Sequence, residues 1–308
     1  MMTSPRVHPI RSLHAAIVAA SLALLLGCAH APAEPGAERF DTPEAAAAAL
    51  LEALEQKAPD ALLDIVGHQY RDELVTADWD YEHEERLRIV AASREQLELS
   101  KDGDDKVLML LGPDGWPLPL PIVREGTSWR FDMDAGLTEM IDRRVGRNEL
   151  AAIALLGAYV DAQIDYARVD RNGDEVLEYA QRLVSSEGQR DGLYWPSEGE
   201  DAESPFGPLV EGAESYLETT EPGDPFFGYY LRILTKQGPN PPGGRYDYVI
   251  NGHMIAGFAL AAYPAEYGVT GVMTFVVNHG SKIHEKDIGA FAEVSEYDPD
   301  DTWHVVED

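Results

Sequence analysis

Residues 148–169 read NELAAIALLGAYVDAQIDYARV and give the clearest helix signal in the chain. Apolar residues recur there at intervals of three and four, which is the spacing of one face of an α-helix. This apolar face comprises Leu150, Ile153, Ala154, Gly157, Val160, Ile164 and Ala167. We therefore predict an amphipathic helix that packs this face on a core and leaves Glu149 and Asp161 in solvent.

A series of strand candidates follows the helix. They lie at residues 229–235, 246–250, 255–263, 271–278 and 282–286. Asn251-Gly252 and His279-Gly280 favour tight turns between several of them. A long helix followed by an antiparallel meander predicts an α+β domain over residues 147–308. Between the two, residues 185–225 are rich in glycine, proline and acids, so we expect long loops packed by Tyr194, Trp195, Phe206 and Tyr216.

Residues 39–146 predict a second α+β domain. Thr42 and Pro43 suit a helix start, because threonine caps a helix and proline fits its first turn. Helices are predicted from Pro43 to Ala58 and over residues 61–66 and 82–99, with strands over 106–111, 116–124 and 128–133. Prolines 117, 119 and 121 alternate at period two, which suits an edge strand or an extended segment.

The end of this first domain carries a family resemblance. Helices followed by an antiparallel sheet that ends in Trp129-Arg130-Phe131 resemble the cystatin-like roll of the nuclear-transport-factor-two-like superfamily. The resemblance implies helix hairpins packed on a curved sheet that can enclose a pocket. It also implies a non-enzymatic module, because many envelope lipoproteins carry such domains without an activity.

The first 27 residues are predicted to be a lipoprotein signal peptide. Arg6 and Arg11 precede an apolar run over residues 15–26, which is shorter than the roughly 20 residues that a membrane-spanning helix needs. The following Leu25-Leu26-Gly27-Cys28 resembles the lipobox of bacterial lipoproteins. The resemblance implies lipidation of Cys28 and cleavage before it. The alternative is an ordinary signal peptide with an incidental cysteine.

Residues 28–38 are rich in alanine, proline and glycine and are predicted to be a tether. Ala29, rather than aspartate, follows the cysteine, and by resemblance this favours the outer over the inner membrane. We therefore expect a protein that faces the periplasm and is anchored in the outer membrane by its N-terminal lipid.

Charge and cysteine content exclude several classes of partner and site. The 308 residues include 24 Lys and Arg against 55 Asp and Glu, a formal net charge of −31. Such an anion is repelled by nucleic acid and by anionic headgroups, so we expect no nucleic-acid partner. Since the chain has a single cysteine, an internal disulfide and a cysteine-rich zinc or iron–sulfur site are excluded.

Five segments resemble an uncharacterised family of bacterial secreted proteins and lipoproteins over nearly the whole chain. They are residues 141–150 (IDRRVGRNEL), 158–163 (AYVDAQ), 190–196 (RDGLYWP), 228–234 (GYYLRIL) and 266–275 (EYGVTGVMTF). The family implies no catalytic residues. The second domain is also distantly similar to pilin-like domains, although the lipobox replaces a prepilin cleavage site.

One acidic loop is a candidate metal site. Asp170, Asn172, Asp174 and Glu178 place oxygen ligands much as the first half of an EF-hand does. The sixth and twelfth positions hold glutamate and glutamine, where an EF-hand has glycine and glutamate. We therefore predict a looser calcium site. The alternative is a solvated turn with its glycine in a left-handed conformation and Asp174 capping a following helix.

Histidines and nucleophiles give weaker signals. His279 and His284 flank a turn and His253 lies near another, so two imidazoles and a distant carboxylate are a possible metal set, with unrelated turn histidines as the alternative. The chain has no G-x-S-x-G nucleophile motif.

We therefore expect a non-enzymatic structural, assembly or binding factor of the cell envelope, with the membrane and other envelope proteins as partners. The alternatives are a calcium- or small-ligand-binding module and an envelope hydrolase.

Overall fold

The protein combines helices with antiparallel sheets, which confirms the α+β class. The computed structural model describes residues 36–75, 79, 83–171, 173–196, 204–207, 224–290 and 294–307. The helices in these ranges are α1 (Pro43–Glu55), α2 (Asp60–Val66), α3 (Arg71–Leu74), α4 (His83–Glu95) and α5 (Met133–Tyr166), with a 3-10 turn at His68–Tyr70. None of the described helices has both the length and the apolarity needed to cross a bilayer.

The first sheet follows α4. Its strands are β1 (Leu97–Lys101), β2 (Lys106–Leu111), β3 (Trp116–Pro117), β4 (Ile122–Glu125) and β5 (Ser128–Phe131). They lie in the order β1-β2-β4-β5, all neighbours are antiparallel, and β3 pairs with β2. Helices α1 and α4 pack against each other and on this sheet, and the apolar residues between them form the first core, which includes Leu50, Val90, Met109 and Phe131.

Two predictions for this region need correction. The helix predicted over 82–99 ends at Glu95, because Leu97 and Leu99 pair with Leu111 and Met109 in the sheet. This pairing overrides the helical pattern of the sequence. The strand predicted over 116–124 is divided into β3 and β4, since prolines 117, 119 and 121 lack the N–H groups that a continuous ladder requires.

The second sheet matches the predicted meander except at residues 246–250, which were predicted as one of its strands and lie outside it. Its strands are β6 (Tyr229–Leu234), β11 (Ala259–Pro264), β12 (Thr274–Asn278), β13 (His284–Lys286) and β14 (His304–Val305), and they lie antiparallel in that order. Two short hairpins intervene, β7 (Lys236–Gln237) with β8 (Tyr246–Asp247), and β9 (Val249–Ile250) with β10 (His253–Met254). The second core lies between this sheet and α5 and includes Leu156, Tyr159, Tyr229, Phe258 and Phe275.

Helix α5 is longer than predicted and contributes to both cores. It begins at Met133, where Asp132 accepts a hydrogen bond from the Ala135 amide at 3.4 Å, rather than at Asn148. Met133 lies in the first core, and residues from Ala152 onward lie in the second. The domain boundary predicted between residues 146 and 147 therefore falls inside a continuous helix.

The buried face of α5 also differs from the predicted one. Leu150 and Ile164 are 69% and 42% exposed, whereas Leu156, Tyr159 and Gln163 are fully buried. Glu149, predicted to face solvent, accepts hydrogen bonds from the amides of residues 272 and 273, just before β12. The helix carries two overlapping apolar stripes, and the larger aromatic area of the tyrosine stripe favours burying that one.

The chain between α5 and β6 is irregular where the structure describes it. Tyr194, Trp195 and Phe206 are buried in the second core, as expected for the residues that pack these loops. Tyr216 lies outside the described residues.

Candidate metal centre

Two of the predicted metal ligands lie beside a histidine from a distant part of the chain. The ligand atoms of Asp174, Glu178 and His253 all lie within 4.8 Å of one another. His253 Nδ1 is 3.5 Å from Asp174 Oδ2 and 3.3 Å from Glu178 Oε2. Among the described residues, this is the one group of three or more such side chains that meets the distance.

The other two predicted calcium ligands are Asp170 and Asn172. Both carboxylate oxygens of Asp170 accept backbone hydrogen bonds, from Gly173 at 2.7 Å and from Glu175 at 2.9 Å. Asp170 thereby closes the turn and is not part of the cluster. Asn172 lies outside the described residues, so its predicted role stays a prediction.

The turn itself brings Asp174 towards the histidine. Gly173 has a φ of 78° and Glu175 a φ of 69°, so two nearby residues adopt the left-handed conformation and the chain reverses sharply. Asp174 Oδ1 accepts from the Val176 amide at 2.8 Å, and its other oxygen is the one next to His253. Asp174 was expected to cap a helix in the alternative reading, but the described residues that follow it are not helical.

A buried glutamine on α5 fixes the segment that carries Glu178. Gln163 is fully buried, and its side-chain amide pairs with both backbone groups of Ala180 at 2.8 Å. It also donates to the Tyr159 hydroxyl at 3.0 Å. Because Ala180 is two residues from Glu178, these bonds fix the position of the backbone beside Glu178 relative to α5.

His253 is positioned by a two-residue hairpin turn. Asn251 and Gly252 have φ values of 54° and 93°, as the predicted Asn-Gly turn requires, and Ile250 pairs with His253 across it. The following Met254 amide donates to Glu178 Oε2 at 3.3 Å. This hairpin therefore bonds directly to the segment after α5.

Further backbone bonds join the same two segments. The amide of Tyr179 donates to the Met254 carbonyl at 2.8 Å, and the side chain of Gln181 donates to the Gly252 carbonyl at 2.7 Å. These bonds hold together the two segments that carry the three ligand residues, in addition to the bond that Glu178 Oε2 itself accepts from the Met254 amide.

Two distances within the cluster fit a tetrahedral metal site. Ligand atoms about 2.1 Å from a tetrahedral ion lie about 3.4 Å from one another. The two distances from His253 Nδ1 are 3.3 and 3.5 Å. This nitrogen is buried and has no hydrogen-bond partner among the described residues. Two carboxylates beside one imidazole also place two negative charges where a divalent cation would neutralise them.

The remaining histidines of the sequence prediction do not join this cluster. The His279 ring packs against Tyr248 and Phe258, with centroids 5.8 and 6.1 Å apart. His284 Nδ1 lies 3.3 Å from the Tyr297 hydroxyl, and burial lowers the pKa of His284. The paired imidazoles considered from the sequence therefore belong to packing contacts.

The chain belongs to the family described as Protein of unknown function (DUF2950), whose model matches residues 37–306. This match confirms the resemblance to an uncharacterised family over nearly the full length. The comparisons with curated proteins and with solved structures gave no match.

Proposed function

We propose that this member of the DUF2950 family is a lipid-anchored protein of the cell envelope that binds a divalent metal ion through Asp174, Glu178 and His253. The metal-binding part of the proposal rests on one observation, the two carboxylate oxygens that lie 3.3 and 3.5 Å from His253 Nδ1. The ion would join the irregular segment after α5 to the β9–β10 hairpin.

The ligand types favour zinc or a similar transition metal. Imidazole nitrogen and carboxylate oxygen are both ordinary zinc ligands, whereas calcium takes six to eight oxygens. The calcium site predicted from Asp170, Asn172, Asp174 and Glu178 is the competing proposal. It differs in a testable way, because it depends on Asp170 and Asn172 and does not involve His253.

A structural role follows from where the ion would bind. The segment after α5 and the hairpin are separated by about 75 residues of sequence. Ordering two such segments costs conformational entropy, and an ion that binds only the folded state offsets that cost. At a free concentration one hundred times its Kd, the ion would add about 2.7 kcal/mol of stability.

Calorimetric titration with Zn²⁺ tests the site. The Cys28→Ser chain is used as the background, because it lacks the only thiol that competes for zinc. We expect one Zn²⁺ per chain and a loss of affinity of at least about a hundredfold in His253→Ala. His68→Ala is the matched control. His68 lies beside one carboxylate only, with Nε2 2.7 Å from Asp64 Oδ1, whereas His253 lies beside two.

Two results would contradict the zinc proposal. One is equal Zn²⁺ affinity with and without His253. The other is a response to Ca²⁺ alone that disappears in Asp170→Asn and survives in His253→Ala, which would favour the calcium site instead.

The envelope location is proposed from the sequence around Cys28. The lipobox-like Leu25-Leu26-Gly27-Cys28 precedes the tether, and the family match begins at residue 37, after both. Acyl chains contribute about 0.8 kcal/mol per buried methylene, so two or more anchor a protein stably. Palmitate labelling that persists in Cys28→Ser would refute this part of the proposal, and labelling that is lost supports it.

The finer fold assignments are part of the same proposal. Helices packed on a five-stranded antiparallel sheet support a cystatin-like roll over residues 39–146. A long helix on an antiparallel meander supports a pilin-like arrangement over residues 147–308. Both would serve as non-enzymatic modules, with other envelope proteins as partners.

A further inference from the structure

We propose that a second site, distinct from the metal centre, binds a small organic anion. A cleft of about 750 Å³ opens between α5 and the extended segment that begins at β3. This volume is in the range of small-molecule pockets. Its lining consists of Trp116, Pro117, Pro119, Met140, Arg143, Arg144, Gly146 and Arg147, none of which belongs to the metal centre.

The cleft concentrates positive charge in a strongly acidic protein. Three arginines lie within five residues of α5, in a chain with 24 basic and 55 acidic residues. Met140, Arg143, Arg144 and Arg147 follow one another at helical spacing, so they share one face of the helix. The result is a local cationic surface that the overall composition would not predict.

Two of the arginines are available for a ligand. Arg143 is held in place, since it donates to Glu139 and to the Pro117 carbonyl, each at 2.7 Å. Arg144 and Arg147 are exposed and form no ion pair with another residue that the structure describes. Asp142, next to Arg143 on the helix, is the other acidic side chain of this turn and is exposed.

The opposite wall of the cleft is apolar. Trp116 is 47% exposed, and the Arg143 guanidinium lies 5.2 Å from its ring centroid. Leu118 and Leu120 are buried in the first core, so the alternating prolines 117 and 119 face the cleft. A planar or apolar group could stack on this wall while its anionic group meets Arg144 and Arg147.

This juxtaposition determines the ligand class. Guanidinium groups bind carboxylate and phosphate through paired hydrogen bonds, and an indole ring binds flat apolar groups. We therefore assign to the cleft a ring-bearing or otherwise apolar molecule that carries a carboxylate or a phosphate.

NMR titration of the full chain tests the assignment with phenyl phosphate and benzoate as probes. The readout is the indole N–H signal of Trp116, identified by its loss in Trp116→Phe. We expect a saturable shift with at least one probe, and the tighter probe identifies the anionic group. Inorganic phosphate should bind more weakly than phenyl phosphate, because it lacks the ring.

The double variant Arg144→Gln/Arg147→Gln should lower the affinity about tenfold. The matched control is Arg88→Gln/Arg168→Gln, which removes the same charge from two exposed arginines elsewhere, one on α4 and one in the turn after α5, and should leave the affinity unchanged. The assignment would be overturned by no saturable shift up to about 10 mM probe. It would equally be overturned by the same loss in both double variants, or by inorganic phosphate binding as tightly as phenyl phosphate.

Discussion

Replacing Gln163 by methionine should destabilise the second core and weaken the metal centre together. The Gln163 side chain forms hydrogen bonds with the backbone of Ala180 and with Tyr159. Methionine has a similar length and volume but no hydrogen-bonding group. The substitution therefore removes the three bonds without opening a large cavity.

The size of the effect follows from the burial of Ala180, which is 1% exposed. Its N–H and C=O would lose their partners inside the protein, at about 1–3 kcal/mol each. Folding would no longer bury the glutamine amide, which offsets part of that loss. We therefore expect a decrease of about 3 kcal/mol in the free energy of unfolding, equivalent to a Tm lower by about 6–12 °C.

Thermal unfolding followed by circular dichroism, together with Zn²⁺ calorimetry, measures both consequences. Gln189→Met is the control, since Gln189 lies in the same segment but is exposed and takes no part in the bonds around the metal centre, and we expect it to cost under about 1 kcal/mol. A Tm for Gln163→Met within about 2 °C of the wild type would refute the role of these bonds. Unchanged Zn²⁺ affinity beside a lowered Tm would refute the link to the metal centre.

Three other predictions test the packing of α5. Leu156 is fully buried, so Leu156→Ala should lower the free energy of unfolding in urea by about 2–5 kcal/mol. Leu150 is 69% exposed, so Leu150→Ala should lower it by under about 0.5 kcal/mol. The reverse order would contradict the buried face assigned to α5. Glu149→Ala should cost about 2 kcal/mol in the same assay, because the amides of residues 272 and 273 both lose their shared acceptor, Oε1. Glu149→Gln should cost less, because its amide oxygen still accepts hydrogen bonds; equal losses would argue against these bonds. Burial raises the pKa of Tyr166 to about 12, above the value of about 10 in the unfolded chain, so its contribution to stability is complete below pH 10 and is lost as the pH rises towards 12. Absorbance titration at about 295 nm of wild type and Tyr166→Phe checks this, and a difference between them that titrates near pH 10 would contradict it.

Local patterns predicted the elements that depend on local chemistry. The strand Lys106–Leu111 was predicted with its observed bounds, and in the structure its residues alternate between half-buried and buried. The turn at Asn251-Gly252 was predicted because few other pairs adopt positive φ at both positions.

Tertiary packing determined what the patterns missed. Helix α5 has two apolar stripes, and the choice between them depends on the strands that cover Tyr159 and Leu156. Likewise, Leu97 and Leu99 suit a helix as well as a strand until β2 is present to pair with them.

The sequence predicted part of the candidate site, and the fold was needed for the rest. Asp174 and Glu178 were identified from their spacing in an acidic loop. His253 was noted only as a turn histidine, because nothing in the local sequence connects it with a loop about 75 residues earlier. The sequence analysis expected a histidine site to use a carboxylate from a distant part of the chain, but only the fold shows that His253 meets Asp174 and Glu178.

Anomalous diffraction at the zinc edge, from crystals grown with Zn²⁺, tests the central claim most directly. We predict an anomalous peak about 2.0–2.2 Å from His253 Nδ1, Asp174 Oδ2 and Glu178 Oε2. A zinc ion bound elsewhere while these three side chains carry no peak would contradict the account.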